Sequence, residues 1–201
     1  MNTPNTEAFN PYAAPTADTH LPPGASLGEE EVGSYYAMGV AKLWIMSVLS
    51  FGLYNFAFFY RHFRHLRDHK QQDVSPFWRA FFSPFMYFGL NTQVKAAAEF
   101  AEVRTPALLG AAPIVYFVAN LVSRAVDRMP DSGMELTLAS FALVPVMTSA
   151  LAATQTAANR VLQKEGYRGP VNDGPTTGSI VLGILSGLMW VTILLGSLVV
   201  F

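Results

Sequence analysis

Charged side chains are scarce in this 201-residue chain: Asp, Glu, Lys and Arg make up 13% of it, against roughly 25% in an ordinary soluble domain. Hydrophobic residues reach 51% and the mean hydropathy is +0.29. A water-exposed fold of this size needs a polar cover, so the shortage points to a surface that is partly lipid. Cysteine is absent altogether, which excludes disulfides, thiolate nucleophiles, iron–sulfur clusters and Cys-type zinc sites. The net charge of −1 supplies no basic field to hold phosphodiester chains, so no nucleic-acid partner is expected. Met1 to Asn10 carry neither Lys or Arg nor an apolar run. No ordinary cleavable signal peptide is therefore expected, and membrane insertion falls to the helices themselves.

Residues 1–35 read as a disordered Pro/Ala-rich acidic tail. Pro4, Pro11, Pro15, Pro22 and Pro23 are spread among small polar residues, and the charges are all acidic, ending in Glu29, Glu30 and Glu31. Such a segment buries too little apolar area to offset its ordering entropy. Residues 36–201 read as an all-α membrane domain. Apolar runs over about 41–60, 106–122, 136–157 and 178–200 each come near the ~20 residues that cross roughly 30 Å of hydrocarbon. Lys42 is the one charge among them, at a span end where it can snorkel. Pro113 and Pro145 fall inside these runs, which neighbouring helices can accommodate.

The stretch 77–104 differs. It opens on Phe77, Trp78, Phe81, Phe82, Phe85, Tyr87 and Phe88, interrupted by Arg79 and Pro84, and then turns polar. Its strongly apolar part is too short to cross, and aromatic residues with an Arg favour the membrane interface, so an interfacial or re-entrant segment is expected. If it does not cross, most Lys and Arg residues collect on one side, as the positive-inside rule requires. That arrangement places the tail outside. The alternative is that 41–60 bends at Gly52 and returns, which keeps the tail inside; glycine permits either geometry.

Chemistry-bearing residues are few. The basic juxtamembrane helix 61–70 carries Arg61, Arg64, Arg67 and Lys70, which with Trp78 and Arg79 are the candidate contacts to anionic headgroups or a partner. His62, His65 and His69 share a helix face, and His65 and His69 have a spacing that can chelate a metal. No completing ligand stands nearby and the surrounding cations repel a metal, so no metal is expected. Asn55, Asn120, Thr148, Thr154 and Gln155 in the spans read as helix–helix hydrogen bonding. The absence of ionisable groups at mid-span argues against ion-coupled transport. Ser179, Gly183 and Gly187 form a small-residue ridge suited to close helix packing, within the bundle or between copies. Asp127, Asp131 and Glu135 read as a solvated acidic loop beside Arg124 and Arg128. The Gly- and Pro-rich loop from Lys164 to Pro175 reads as a connector. No catalytic arrangement and no phosphate-cradling glycine loop is present, so neither enzyme activity nor a cofactor is expected.

The segments Lys42-Leu43-Trp44-Ile45-Met46-Ser47, Gly52-Leu53-Tyr54, Phe59-Tyr60-Arg61 and Ser75-Pro76-Phe77-Trp78-Arg79 resemble a group of small, uncharacterised bacterial multi-pass inner-membrane proteins. The resemblance implies membership and a multi-pass inner-membrane location, but no activity. The expectation is a helical bundle of about four spans plus one aromatic interfacial helix, with a non-enzymatic accessory or interaction role at the cytoplasmic membrane face. Its partners would be anionic lipid and a second copy or another membrane protein. A small uncoupled channel or transporter formed by oligomerisation is the alternative, and a membrane-held toxin-neutralising partner is a third.

Overall fold

The computed structural model describes residues 33–70, 73, 75–129, 134–169, 171–174 and 176–199. The elements are α1 (Val40–Leu49), α2 (Leu53–Lys70), α3 (Pro76–Phe81), α4 (Ser83–Phe100), a 3-10 turn (Ala107–Gly110), α5 (Ala112–Val126), α6 (Met134–Lys164) and α7 (Thr177–Val199). Among the described residues the one departure from helix and loop is an isolated parallel bridge between Met38 and Asn172. The all-α expectation therefore holds. The expected tail overlaps the described residues at Gly33 to Tyr35, which are packed; the remainder of the tail, and Asp131, lie outside them.

The run 41–60 is two helices, a correction to the single span. At its break Phe51 and Gly52 both have positive φ, 51° and 84°. The Gly52 N–H bonds the Ser47 carbonyl at 2.8 Å and the Phe51 N–H that of Val48 at 3.2 Å. This paired pattern is a Schellman stop, which satisfies the last carbonyls of α1. Ser50 Oγ then accepts the Tyr54 N–H at 2.9 Å, which opens α2. Phe51 holds its unusual backbone because its ring stacks on Trp190 at 4.5 Å and meets Phe141 at 4.6 Å. Trp190 Nε1 also donates to the Leu49 carbonyl at 3.2 Å. The chain turns back at this point: the strap 33–39 before α1 lies beside the far end of α2, with the Gly33 carbonyl on His65 Nε2 and Lys70 Nζ over the Tyr35 ring at 4.3 Å.

The 77–104 stretch also doubles back on itself. Phe77 meets Phe56 at 5.9 Å, and Phe81, Phe82 and Ser83 line a cavity with Gly52 and Leu53 near the hairpin tip. From there α4 runs back, so that Tyr35 Oη donates to the Gln93 carbonyl at 3.0 Å and Arg160 to the Arg104 carbonyl at 2.6 Å. The polar half of this stretch is not simply a surface helix. Tyr87, Leu90, Asn91, Val94 and Ala98 are buried at the three- and four-residue steps of an inward helix face.

The core is aromatic on one side and small on the other. Phe59, Tyr87 and Tyr116 form a triangle of edge-to-face rings 5.3–5.5 Å apart that joins α2, α4 and α5. Across from them α6 presents Ala150, Ala153, Ala157 and Ala158, all buried, and small side chains permit close backbone approach. Pro113 stands in the first turn of α5 rather than within a span, where its missing N–H would have no helical partner anyway. Pro145 does lie inside α6.

Among the described residues, Ser140–Lys164 is the helix long and apolar enough to cross a membrane, and its most apolar window is 61% buried. The shorter apolar helices are Val40–Leu49, Ala112–Val126 and Thr177–Thr192. α1 has 10 residues and is about 15 Å long, half a bilayer core. The helical break at Ser50–Gly52 is the physical reason the run 41–60 is not one full-length span, and α5, with 15 residues, is shorter than the run expected over 106–122.

A basic cleft beside a buried polar network

The four basic candidates of the α2 end share a region but differ in surroundings. Arg64 and Arg67 both use Nε to hold the Asp68 carboxylate, at 3.2 and 2.8 Å, which keeps its carboxyl below the usual range with Arg67 the leading cause. Lys70 rests on the Tyr35 ring, and burial lowers its ammonium from the ordinary value while the nearby Glu165 opposes the change. Arg61 is half-buried among neutral partners: Nη1 reaches Tyr36 Oη and Tyr54 Oη, and Nη2 reaches Thr176 Oγ1, each at 3.3 Å, while the guanidinium lies 6.0 and 5.8 Å from the Tyr36 and Tyr54 ring centroids. Trp78 and Arg79 are not part of this group. Trp78 is exposed on α3, and Arg79 lies over the Phe63 ring at 5.7 Å.

The connector 165–176 closes this region, which its turn-rich composition did not reveal. Lys42 Nζ donates to Asn172 Oδ1 at 2.7 Å and to the Gly174 carbonyl, and Asn172 Nδ2 donates to Tyr36 Oη. The Asp173 carboxylate lies over Gly39: a Cβ there would fall 1.7 Å from Asp173 Oδ1, so that side chain would have to move aside. Tyr36, Arg61, Arg64, His65, Asp68, His69, Asn172 and Thr176 together line an open cleft of about 460 Å³. Tyr36, Asp68, Asn172 and Thr176 are the lining residues that the sequence did not single out; an Asn-Asp-Gly-Pro run signals a turn and says nothing of what the turn touches.

Behind the cleft the histidines separate. His62 is turned into the core, where Nε2 donates to Gln155 Oε1 at 2.8 Å, and burial drives its imidazole down to about 4. Gln155 Nε2 donates in turn to the Tyr36 carbonyl and to Asn159 Oδ1, and Asn159 Nδ2 donates to the Met38 carbonyl. This chain of bonds ties α2 and α6 to the strap. His65 bonds the Gly33 carbonyl at 2.8 Å, and its ring centroid lies 4.6 Å from that of His69; burial lowers His65 from its ordinary value. Among the described residues no group of three or more His, Cys, Asp or Glu is placed to hold a metal ion. His62, His65 and His69 thus do not converge.

The polar groups expected to pair between helices do so in part, and in part bond within their own helix. Thr154 Oγ1 donates to Asn91 Oδ1 at 2.7 Å and lies 2.6 Å from Tyr87 Oη, while Asn91 Nδ2 donates to the Leu109 carbonyl at 3.0 Å. Ser47 Oγ donates to Asn55 Oδ1 at 2.8 Å across the α1–α2 hairpin. Asn120 accepts from Arg124 Nε, and Thr148 returns to the Val144 carbonyl of its own helix. Asp127 accepts from Ser140 Oγ at 3.1 Å.

The expected ridge on α7 is only partly a packing surface. Ser179 is buried, but its hydroxyl serves the first turn of its own helix through Thr176. A Cβ at Gly183 or Gly187 would meet nothing within 4 Å, so neither glycine is in close helix contact within this chain. Ile184, Leu185, Leu188 and Val191 of the same helix are exposed, as are Ile114, Val118 and Leu121 of α5. No known protein family, curated protein or solved structure matches the chain.

Proposed function

We propose that the chain is an integral protein of the bacterial inner membrane, with a non-enzymatic accessory or interaction role at the cytoplasmic face. The observation that carries this reading is the segregation of charge from apolar surface. Arg61, Arg64, Arg67 and Lys70 share one end with the strap, with Lys42 and with the 165–176 connector, while the flanks of α3, α5 and α7 expose large apolar side chains. Exposed apolar surface on this scale is unusual for a water-soluble monomer. Clustered Lys and Arg at a membrane exit attract anionic lipid by about 1 kcal/mol each.

On this reading α1–α2 and α3–α4 enter the bilayer and return, while α5, α6 and α7 cross it. The tail is then cytoplasmic, because the strap that follows it packs against the basic end of α2. Arg124 and Arg128, near the opposite end of α5, are left outside, in keeping with the positive-inside rule.

Membrane fractions of expressing cells test this directly. The chain is expected to resist alkaline carbonate extraction and to co-purify with anionic lipid in mild detergent. The R64E/R67E/K70E variant should lose that lipid enrichment. Release by carbonate would refute membrane residence, and an unchanged lipid profile in the variant would refute the headgroup role.

A further inference from the structure

The geometry points to a binding site for a phosphate-monoester group in the cleft between the strap, the basic half of α2, Asn172 and Thr176, with Arg61 as its anchor. The inference deepens the reading above and rests on its exposure of this end of the protein to headgroups or to the adjoining solution.

Arg61 carries the case. Its three contacts, at 3.3 Å, are long for N–H···O bonds, and a guanidinium has more N–H donors than these use. No carboxylate pairs with it among the described residues, whereas Arg64 and Arg67 hold Asp68 and Lys95 holds Glu99. Cations withdrawn from water onto neutral partners retain a strong preference for an anion.

The rest of the lining suits that anion. Arg64 and the His65–His69 pair add positive or hydrogen-bonding groups, and Thr176 adds a hydroxyl. Asp68 is the acidic member of the lining, and two arginines already hold its carboxylate. The wall is fixed beforehand, because Asn172 is bonded through both ends of its amide, to Lys42 and to Tyr36. Preorganisation of this kind reduces the ordering cost of binding. A phosphate monoester offers a double charge and three acceptor oxygens for two guanidinium forks, which a carboxylate cannot match. The cleft volume of about 460 Å³ lies in the range of small-ligand sites, roughly 300–1,000 Å³.

The same phosphate chemistry can come from a lipid headgroup or from a soluble metabolite, and two arms separate them. The full-length chain in neutral detergent is titrated with glycerol 3-phosphate by calorimetry. In parallel it is reconstituted in phosphatidylcholine vesicles with increasing phosphatidic acid, with phosphatidylserine as the comparison, and lipid occupancy is read by native mass spectrometry. Saturable binding is expected in one arm or both, weakened about tenfold or more by Arg64→Gln. Arg61→Lys, which keeps the charge but not the fork, should act likewise after circular dichroism has shown it folded. Lys95→Gln removes one positive charge on α4, outside the cleft lining, and is expected to change affinity less than about threefold. Binding to phosphatidic acid alone assigns a lipid source, and binding to glycerol 3-phosphate assigns a soluble one. No saturable binding in either arm would overturn the site while leaving the membrane role standing. So would equal weakening by Arg64→Gln and Lys95→Gln, which signals only a diffuse basic surface.

Discussion

Acidification should loosen this fold through His62, and the size of the effect follows from its burial. The imidazole lies among the Tyr36 and Phe58 rings, 5.8 and 4.5 Å away between centroids, and donates to Gln155. Desolvation is the main reason its pKa falls from 6.5 to about 4, with the His65 charge adding to the fall and the Gln155 bond opposing it. The unfolded chain therefore binds this proton more readily than the folded one. The stabilisation is complete above pH 6.5, is lost as pH falls toward 4, and changes no further below that. At about 1.4 kcal/mol per pH unit, the whole window is worth about 3 kcal/mol, of which about 2 kcal/mol is gone by pH 5. The assay is thermal unfolding of detergent-solubilised protein between pH 7.5 and 4.5, comparing the wild type with His62→Gln, which retains a donor for Gln155. Carboxylates and His65 titrate in both proteins, so the difference between the two slopes isolates His62. The wild type should lose about 4–8 °C more than the variant between pH 7.5 and 5. Parallel slopes would refute the reasoning.

Other consequences are equally concrete. Thr154→Val leaves Asn91 Oδ1 and Tyr87 Oη without their shared partner, and chemical denaturation should show a loss of about 1–3 kcal/mol. Gly52→Ala places a side chain at φ 84° where the nearest neighbours, Asn55 and Val144, leave ordinary van der Waals room. Its cost should be the backbone term alone, about 1–2 kcal/mol, and a neutral variant would mean that the hairpin turn is not fixed as described. Vesicles carrying the purified chain are expected to hold small ions and dyes as well as empty vesicles do, because the interior polar groups bond one another; solute flux would favour the channel reading instead.

Helical class, a special role for Gly52 and the distinct aromatic character of the stretch after Phe77 are all legible in the residue order. Composition and periodicity carry such features locally. The direction taken at Gly52 is not legible, because it depends on the Phe51 ring finding Phe141 and Trp190, far along the chain. The basic character of 61–70 is likewise plain, whereas the difference between Arg61 and its neighbours arises from Tyr36, Tyr54 and Thr176. A helical-wheel projection groups His62 with His65 and His69, and it cannot tell that this face straddles the edge of the core. Gly183 and Gly187 show the converse: small residues at packing intervals permit close contact but do not compel it.

The claim on which the rest depends is that the strap and the basic end of α2 lie on the same, cytoplasmic side. The chain contains no cysteine, so single-cysteine labelling with an impermeant maleimide reads the sides without background. The account predicts that S34C and R67C are protected in intact spheroplasts and labelled in inverted vesicles, with M129C showing the reverse. Labelling of S34C and R67C from opposite sides would contradict the returning hairpin, and labelling of both from outside would contradict the cytoplasmic assignment.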